Sequence, residues 1–218
     1  MSSPGAPATP RTYDGTIPYL ALGDSYTIGE GVPVHGRWPV QLARALRSDG
    51  IPLSDPHVIA TTGWTTDELS QAIDAAEPPG TFGFVSLLIG VNNQYRGRGT
   101  DDYACEFDAL LGRAIGFADG RAGRVIVLSI PDWGVTPFAI AQGRDAGLVA
   151  HQIDAYNAVA AGICDMRGVA FVDITPISRE RGANTDMLVD DGLHPSSTMY
   201  AAWTACALPV ARALLESA

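Results

Sequence analysis

Four stretches of the 218-residue chain carry side chains that could do chemistry together. They are Ser25 within Gly23-Asp24-Ser25-Tyr26, an isolated Gly63, Asn92 within Gly90-Val91-Asn92-Asn93, and Asp191 three residues before His194 in Asp191-Gly192-Leu193-His194-Pro195. The chemistry is acyl transfer. A serine hydroxyl is a weak nucleophile at its own pKa and needs a base beside it, best supplied by a histidine. The histidine needs an acid on its other ring nitrogen, to fix the tautomer and to stabilise the imidazolium. Asp191 and His194 can face one another within one glycine-containing loop. A developing oxyanion needs donors already in place, and the backbone N–H groups of Ser25 and Gly63 and the side-chain amide of Asn92 are available. Glycine at position 63 also lets the backbone approach a ligand closely, where a side chain would obstruct it.

These residues meet only if the fold gathers them, and the apolar pattern says how. Residues 19–22 are a short apolar run that ends in Gly-Asp-Ser, a buried strand meeting a turn. Residues 57–60, 124–130 and 169–173 read as further strands, and 84–89 is apolar on both parities, as a central parallel strand covered on both faces would be. Between them, residues 38–48, 66–76, 102–118, 146–166 and 199–215 read as helices. Five strands alternating with helices predict an α/β fold. It is a single three-layer α/β/α domain over 18–218, built on a five-stranded parallel sheet and preceded by a flexible N-terminal tail over 1–17. Ligands of such sheets bind beyond the carboxyl ends of the strands. Ser25, Gly63 and Asn92 each follow a strand, and Asp191 and His194 lie between the last strand and the last helix.

Composition removes several function classes. The net charge is −10, and all 14 basic residues are arginine. Without a lysine there is no Schiff-base chemistry, no pyridoxal-phosphate anchor and no P-loop lysine. A chain this acidic, without a basic stretch, does not fit a nucleic-acid partner or an anionic membrane surface, and a neutral or cationic small molecule is the easier substrate. No stretch approaches the roughly 18 apolar residues of a membrane span. The N-terminus is polar and proline-broken, with no secretory signal pattern, so a cytoplasmic location is expected. Cys105, Cys164 and Cys206 lack metal-site spacing and read as buried, reduced core thiols. Neither a metal nor a cofactor is expected.

Other polar residues have plainer readings. Asp24 is expected to tie its turn through backbone N–H groups. His35, His57 and His151 are surface or packing residues, and Asp190 caps or is solvated. Tyr26, Asn93, Tyr95, Trp64 and Trp133 stand at carboxyl ends of strands and are candidate substrate-binding residues, the aromatics alternatively belonging to the core.

Taken in order, Gly-Asp-Ser, Gly63, Gly-Val-Asn and Asp-Gly-Leu-His-Pro resemble the four blocks of the SGNH (GDSL-type) hydrolases, across positions 19–195. The resemblance implies a flavodoxin-like fold and hydrolysis of carboxylic esters through an acyl-enzyme, with no metal or cofactor. Position by position it makes Ser25 the nucleophile and first oxyanion donor, Gly63 and Asn92 the rest of the oxyanion hole, His194 the base and Asp191 its orienting acid. Two positions depart from the family pattern: Tyr26 stands where the name-giving motif has Leu, and Asn93 where many members have Asp. Both bear on the pocket. The chain has no extended lipid-binding insertion, so a small or short-acyl (for example acetyl) ester is the expected substrate. The same residues would serve an acyltransferase acting on an alcohol or sugar, and a binding protein that kept the fold but lost the chemistry is the third reading. An α/β-hydrolase is excluded, because its nucleophile elbow demands Gly-x-Ser-x-Gly and residue 27 is Thr.

Overall fold

The computed structural model describes residues 15–76 and 80–217. The chain runs β1 (Tyr19–Gly23), α1 (Ser25–Ile28), α2 (Trp38–Ser48), β2 (His57–Ala60), α3 (Thr66–Ala76), β3 (Phe84–Leu88) and α4 (Val91–Tyr95). It continues α5 (Thr100–Phe117), β4 (Val125–Leu128), α6 (Pro137–Ala141), α7 (Ala146–Arg167), β5 (Ala170–Val172), α8 (Thr175–Arg181) and α9 (Ser197–Glu216). The five strands form one parallel sheet in the order β2-β1-β3-β4-β5. Helices α3, α5 and α7 pack in one layer and α2, α8 and α9 in another. The three-layer α/β/α expectation holds.

Every residue of β1 and β3 is buried, which is why their sequences are apolar on both parities. Two polar groups inside that core satisfy each other, the Tyr19 hydroxyl lying 2.9 Å from Ser86 Oγ. The register sets Gly23 beside both Ala60 and Leu88, so three strands end at one level. The strand order reverses at β1, and at such a switch point the connections leave in opposite directions and open a crevice. Ser25 starts α1 and Asn92 lies in α4, on either side of that crevice.

The long elements match their sequence ranges to within a few residues, and the departures have local causes. Helices α1, α4, α6 and α8 have only four to seven residues each, too short to show a period in the sequence. Helix α9 runs through Pro209 without a break, its apolar face held by Met199, Tyr200, Trp203, Ala207, Ala211 and Leu215. Cys164 is buried and Cys206 partly so, but Cys105 is exposed on α5, contrary to the expected core position. Helical spacing near Cys105 points Tyr103 and Phe107 inward, and Cys105, midway between them, turns outward. Of the expected tail, residues 1–14 lie outside the described residues, and the Ile17 N–H donates to the Pro52 carbonyl at 2.8 Å. No helix among the described residues is long and apolar enough to cross a membrane.

Candidate active site

Ser25 is held at the tip of β1 by its neighbours. Asp24 caps α1, its Oδ1 accepting the Tyr26 N–H at 3.0 Å, so the cap is Asp24 and the Ser25 hydroxyl is left for other work. Four residues later Gly29 ends the helix in the left-handed region, its N–H donating to the Ser25 carbonyl at 3.0 Å. The Asp191–His194 loop is closed by an antiparallel bridge between Leu188 and Pro195 and is tied to α6 by the Phe138 N–H, which donates to the Gly192 carbonyl at 3.0 Å. Within it, Asp191 Oδ1 accepts the N–H groups of Leu193 and His194 at 2.8 and 2.9 Å, and Oδ2 lies 2.5 Å from His194 Nδ1. Partial burial opposes the Asp191 charge, but the hydrogen bonds from His194 and the two backbone donors outweigh it and hold the carboxyl below its usual range. His194 is thereby fixed at one ring nitrogen, and its ring lies edge-on to Tyr26 with centroids 6.0 Å apart.

Across the crevice, Asn92 Nδ2 donates to the Trp64 carbonyl at 2.9 Å, which locks the amide while leaving its second hydrogen free. Gly63 has φ of 89°, a left-handed conformation that L side chains avoid. A Cβ there would meet no atom within 4 Å, so backbone conformation, rather than crowding by the protein, is what asks for glycine.

One pocket of about 230 Å³ takes in Ser25, Gly63, Asn92 and His194 together with Tyr26, Tyr95 and Trp133. Among the described residues no hydrogen bond links Ser25 to His194, a separation common in such sites before a substrate tightens them. A larger groove of about 570 Å³, beside His35, Arg44 and Ser197, lies away from all of these groups.

Two candidate substrate-binding residues are corrected. Asn93 is fully buried behind the wall: its Oδ1 accepts the Thr66 N–H at 3.1 Å and its Nδ2 donates to Thr66 Oγ1 at 2.6 Å, so it pins the start of α3. Trp64 packs half-buried against the core and is not part of the pocket; what it offers the site is its carbonyl. Tyr26, Tyr95 and Trp133 do line it. Trp133 is fixed by its Nε1–H, which donates to Gln94 Oε1 at 2.8 Å, and the Arg144 guanidinium lies over the rings of Tyr95 and Trp133 at 5.0 and 5.7 Å. His35, His57 and His151 are exposed, as is Asp190.

No curated protein matches the sequence. Solved structures do match. TesA is 18% identical with a TM-score of 0.72, over 91% of this chain and 99% of that one. The psychrotrophic esterase EstA from Pseudoalteromonas sp., inhibited by monoethylphosphonate, is 15% identical with a TM-score of 0.64, over 94% and 96%. Axe2, an acetylxylan esterase from Geobacillus stearothermophilus, is 19% identical with a TM-score of 0.64, over 89% and 94%. At these identities the likeness is one of fold. The family model of the GDSL-like lipase/acylhydrolases matches residues 21–202. The chain belongs to the GDSL-like lipase/acylhydrolase family.

This GDSL-like acylhydrolase is therefore a carboxylic-ester hydrolase. Its pocket also contains Thr62, Val91, Phe138 and Leu193, which the sequence did not single out. For Phe138 a signal existed: Thr136 followed by Pro137 is a cap and first-position pair that opens α6, and Thr136 Oγ1 accepts the Ala139 N–H at 3.2 Å. Among the described residues no group of three or more His, Cys, Asp or Glu is placed to hold a metal ion.

Asp24 of this acylhydrolase carries a pH signature. Its carboxyl is fully buried, Oδ2 has no hydrogen-bond partner among the described residues, and burial pushes its pKa up to about 7. In the unfolded chain an aspartate titrates near 3.9, so between roughly pH 4 and 7 the folded protein binds the extra proton. Stability from this group is present below about pH 4 and is lost as the pH rises through about 7. An Asp24→Asn variant keeps an acceptor for the Tyr26 N–H without the ionisation. Its melting temperature should rise relative to the parent protein between pH 5 and pH 8, and a pH-independent difference in thermal unfolding scans would contradict this account.

Proposed function

We propose that the protein hydrolyses small, short-acyl carboxylic esters, acetyl esters among them, through an acyl-enzyme on Ser25. His194 Nε2 takes the proton of Ser25 Oγ as that oxygen bonds to the ester carbonyl carbon. The carbonyl oxygen becomes an oxyanion, for which the N–H groups of Ser25 and Gly63 and Asn92 Nδ2 are the donors. Collapse of the tetrahedral intermediate breaks the bond to the alkoxy oxygen, which leaves with the proton returned by His194. Water then repeats the two steps on the acyl-enzyme, releasing the acid and restoring Ser25. Asp191 keeps the proton of the resting ring on Nδ1 and offsets the positive charge that His194 acquires twice per cycle.

The observation that carries this reading is the pocket, which brings Ser25, Gly63, Asn92 and His194 together in about 230 Å³. That lies below the roughly 300–1,000 Å³ of sites for drug-sized ligands. Apolar walls of Val91, Trp133, Phe138 and Leu193 favour an acyl group over an anion. Aryl esters of rising chain length test it. kcat/KM should be highest for acetyl to butyryl and fall at least tenfold by octanoyl, and Trp133→Ala should shift the preference toward longer chains. A parent profile that climbs steadily to dodecanoyl would overturn the short-acyl assignment. An alcohol or sugar added to the same assay separates hydrolysis from acyl transfer by its product.

A further inference from the structure

The glycine that serves the proposed oxyanion hole is the most freely rotating residue type, and its N–H can be preorganised only if something outside it holds the chain. Two consecutive carbonyls of the β2–α3 loop are gripped from α4 and its end. Asn92 Nδ2 holds the Trp64 carbonyl at 2.9 Å, and Arg96 Nη2 holds the Gly63 carbonyl at 2.7 Å. Arg96 is in turn anchored by a two-point pair with Glu68, Nη1 to Oε1 at 3.0 Å and Nη2 to Oε2 at 3.2 Å. Glu68 Oε2 closes the circuit by accepting the Thr65 N–H at 2.9 Å. The backbone from Gly63 to Thr65 is thus clamped at both ends by one ion pair.

We propose that Arg96, oriented by Glu68, is a positioning residue that fixes the Gly63 N–H for the oxyanion, an inference that rests on the acyl-serine reading above. Holding the Gly63 carbonyl sets the peptide plane on one side of Gly63, and the left-handed φ of 89° then sets the plane that carries its N–H. Arg96 does not line the pocket, and its two terminal nitrogens are committed to Gly63 and Glu68. Its work is on the loop. The pair is also too open to be a major prop of the fold: the side chains are 43% and 36% exposed, and such ion pairs contribute little to stability. Rate and stability should therefore separate.

The test uses the full chain and its Arg96→Gln, Arg96→Lys and Glu68→Gln variants, with kcat and KM on an aryl acetate, thermal unfolding and pH profiles for each. Complete loss of an oxyanion donor costs about 10²–10³ in kcat, and a loosened one should cost less. Arg96→Gln is expected to lower kcat about tenfold or more, with KM within about twofold and the pH midpoint unchanged. Arg96→Lys should recover part of the rate, because an ammonium can reach one carbonyl but lacks the two-point fork. Glu68→Gln should fall between. An unchanged kcat in Arg96→Gln, a change confined to KM, or a rate loss matched by loss of folded protein would overturn the inference. The acyl-serine reading fails separately, if Ser25→Ala retains the parent rate.

Discussion

In the Ser25→Ala variant, turnover of an aryl acetate should fall by about 10⁴-fold or more, with the melting temperature close to that of the parent protein. The rate loss follows from the role: without Oγ there is no acyl-enzyme, and only oxyanion donors and binding are left to act on water. The small effect on stability follows from the structure. Asp24 caps α1, so truncating Ser25 uncaps nothing, and the Ser25 carbonyl still accepts the N–H groups of Gly29 and Glu30. A fluorophosphonate should label the parent protein at Ser25, read by mass spectrometry, and leave the variant unlabelled. Retained turnover in a folded Ser25→Ala protein would place the nucleophile elsewhere, and no adduct on the parent would favour a binding protein.

The second large effect belongs to the Asp191–His194 pair. His194 can serve as the base because Asp191 holds its ring so that Nε2 is left to accept the proton of Ser25. Asp191 is held ionised below the usual carboxylate range by its hydrogen bonds from His194 and two backbone donors, which outweigh its partial burial. An Asp191→Asn variant can keep Oδ1 as acceptor for the Leu193 and His194 N–H groups, so the loop geometry survives. Its amide then faces Nδ1 as a donor where Oδ2 stood, which puts the ring proton on Nε2, the nitrogen needed as base. The plateau rate should drop, up to about 10⁴-fold. Loss of the negative charge also removes what offsets the positive charge His194 acquires during each step. His194→Ala should be nearly inactive at every pH. A parent-like pH–rate profile for Asp191→Asn would remove Asp191 from the mechanism.

Much of this protein is legible without coordinates, wherever one local pattern carries one meaning. The alternation of buried apolar runs with amphipathic helices determined the parallel sheet, because a strand covered on both faces has to be apolar on both parities. Asp191 and His194 were readable as a pair because three residues of glycine-containing chain suffice to bring them together, and the 2.5 Å contact forms inside that loop. Ser25, Gly63 and Asn92 were readable because strand ends in such a sheet share one edge.

The tertiary structure alone decided which neighbours of those residues line the pocket. Asn92 and Asn93 are adjacent and chemically identical, yet one lines the pocket and the other is sealed against Thr66, because a helical turn sends successive side chains in different directions. Trp64 and Trp133 both follow strands, but only Trp133 reaches the pocket, drawn there by Gln94 from another element. Nothing in the sequence points Arg96 at the Gly63 carbonyl, even though it follows the Asn92 block closely. Its bond to Gly63 spans 33 residues, and such a contact exists only after β1, β2 and β3 have been laid side by side.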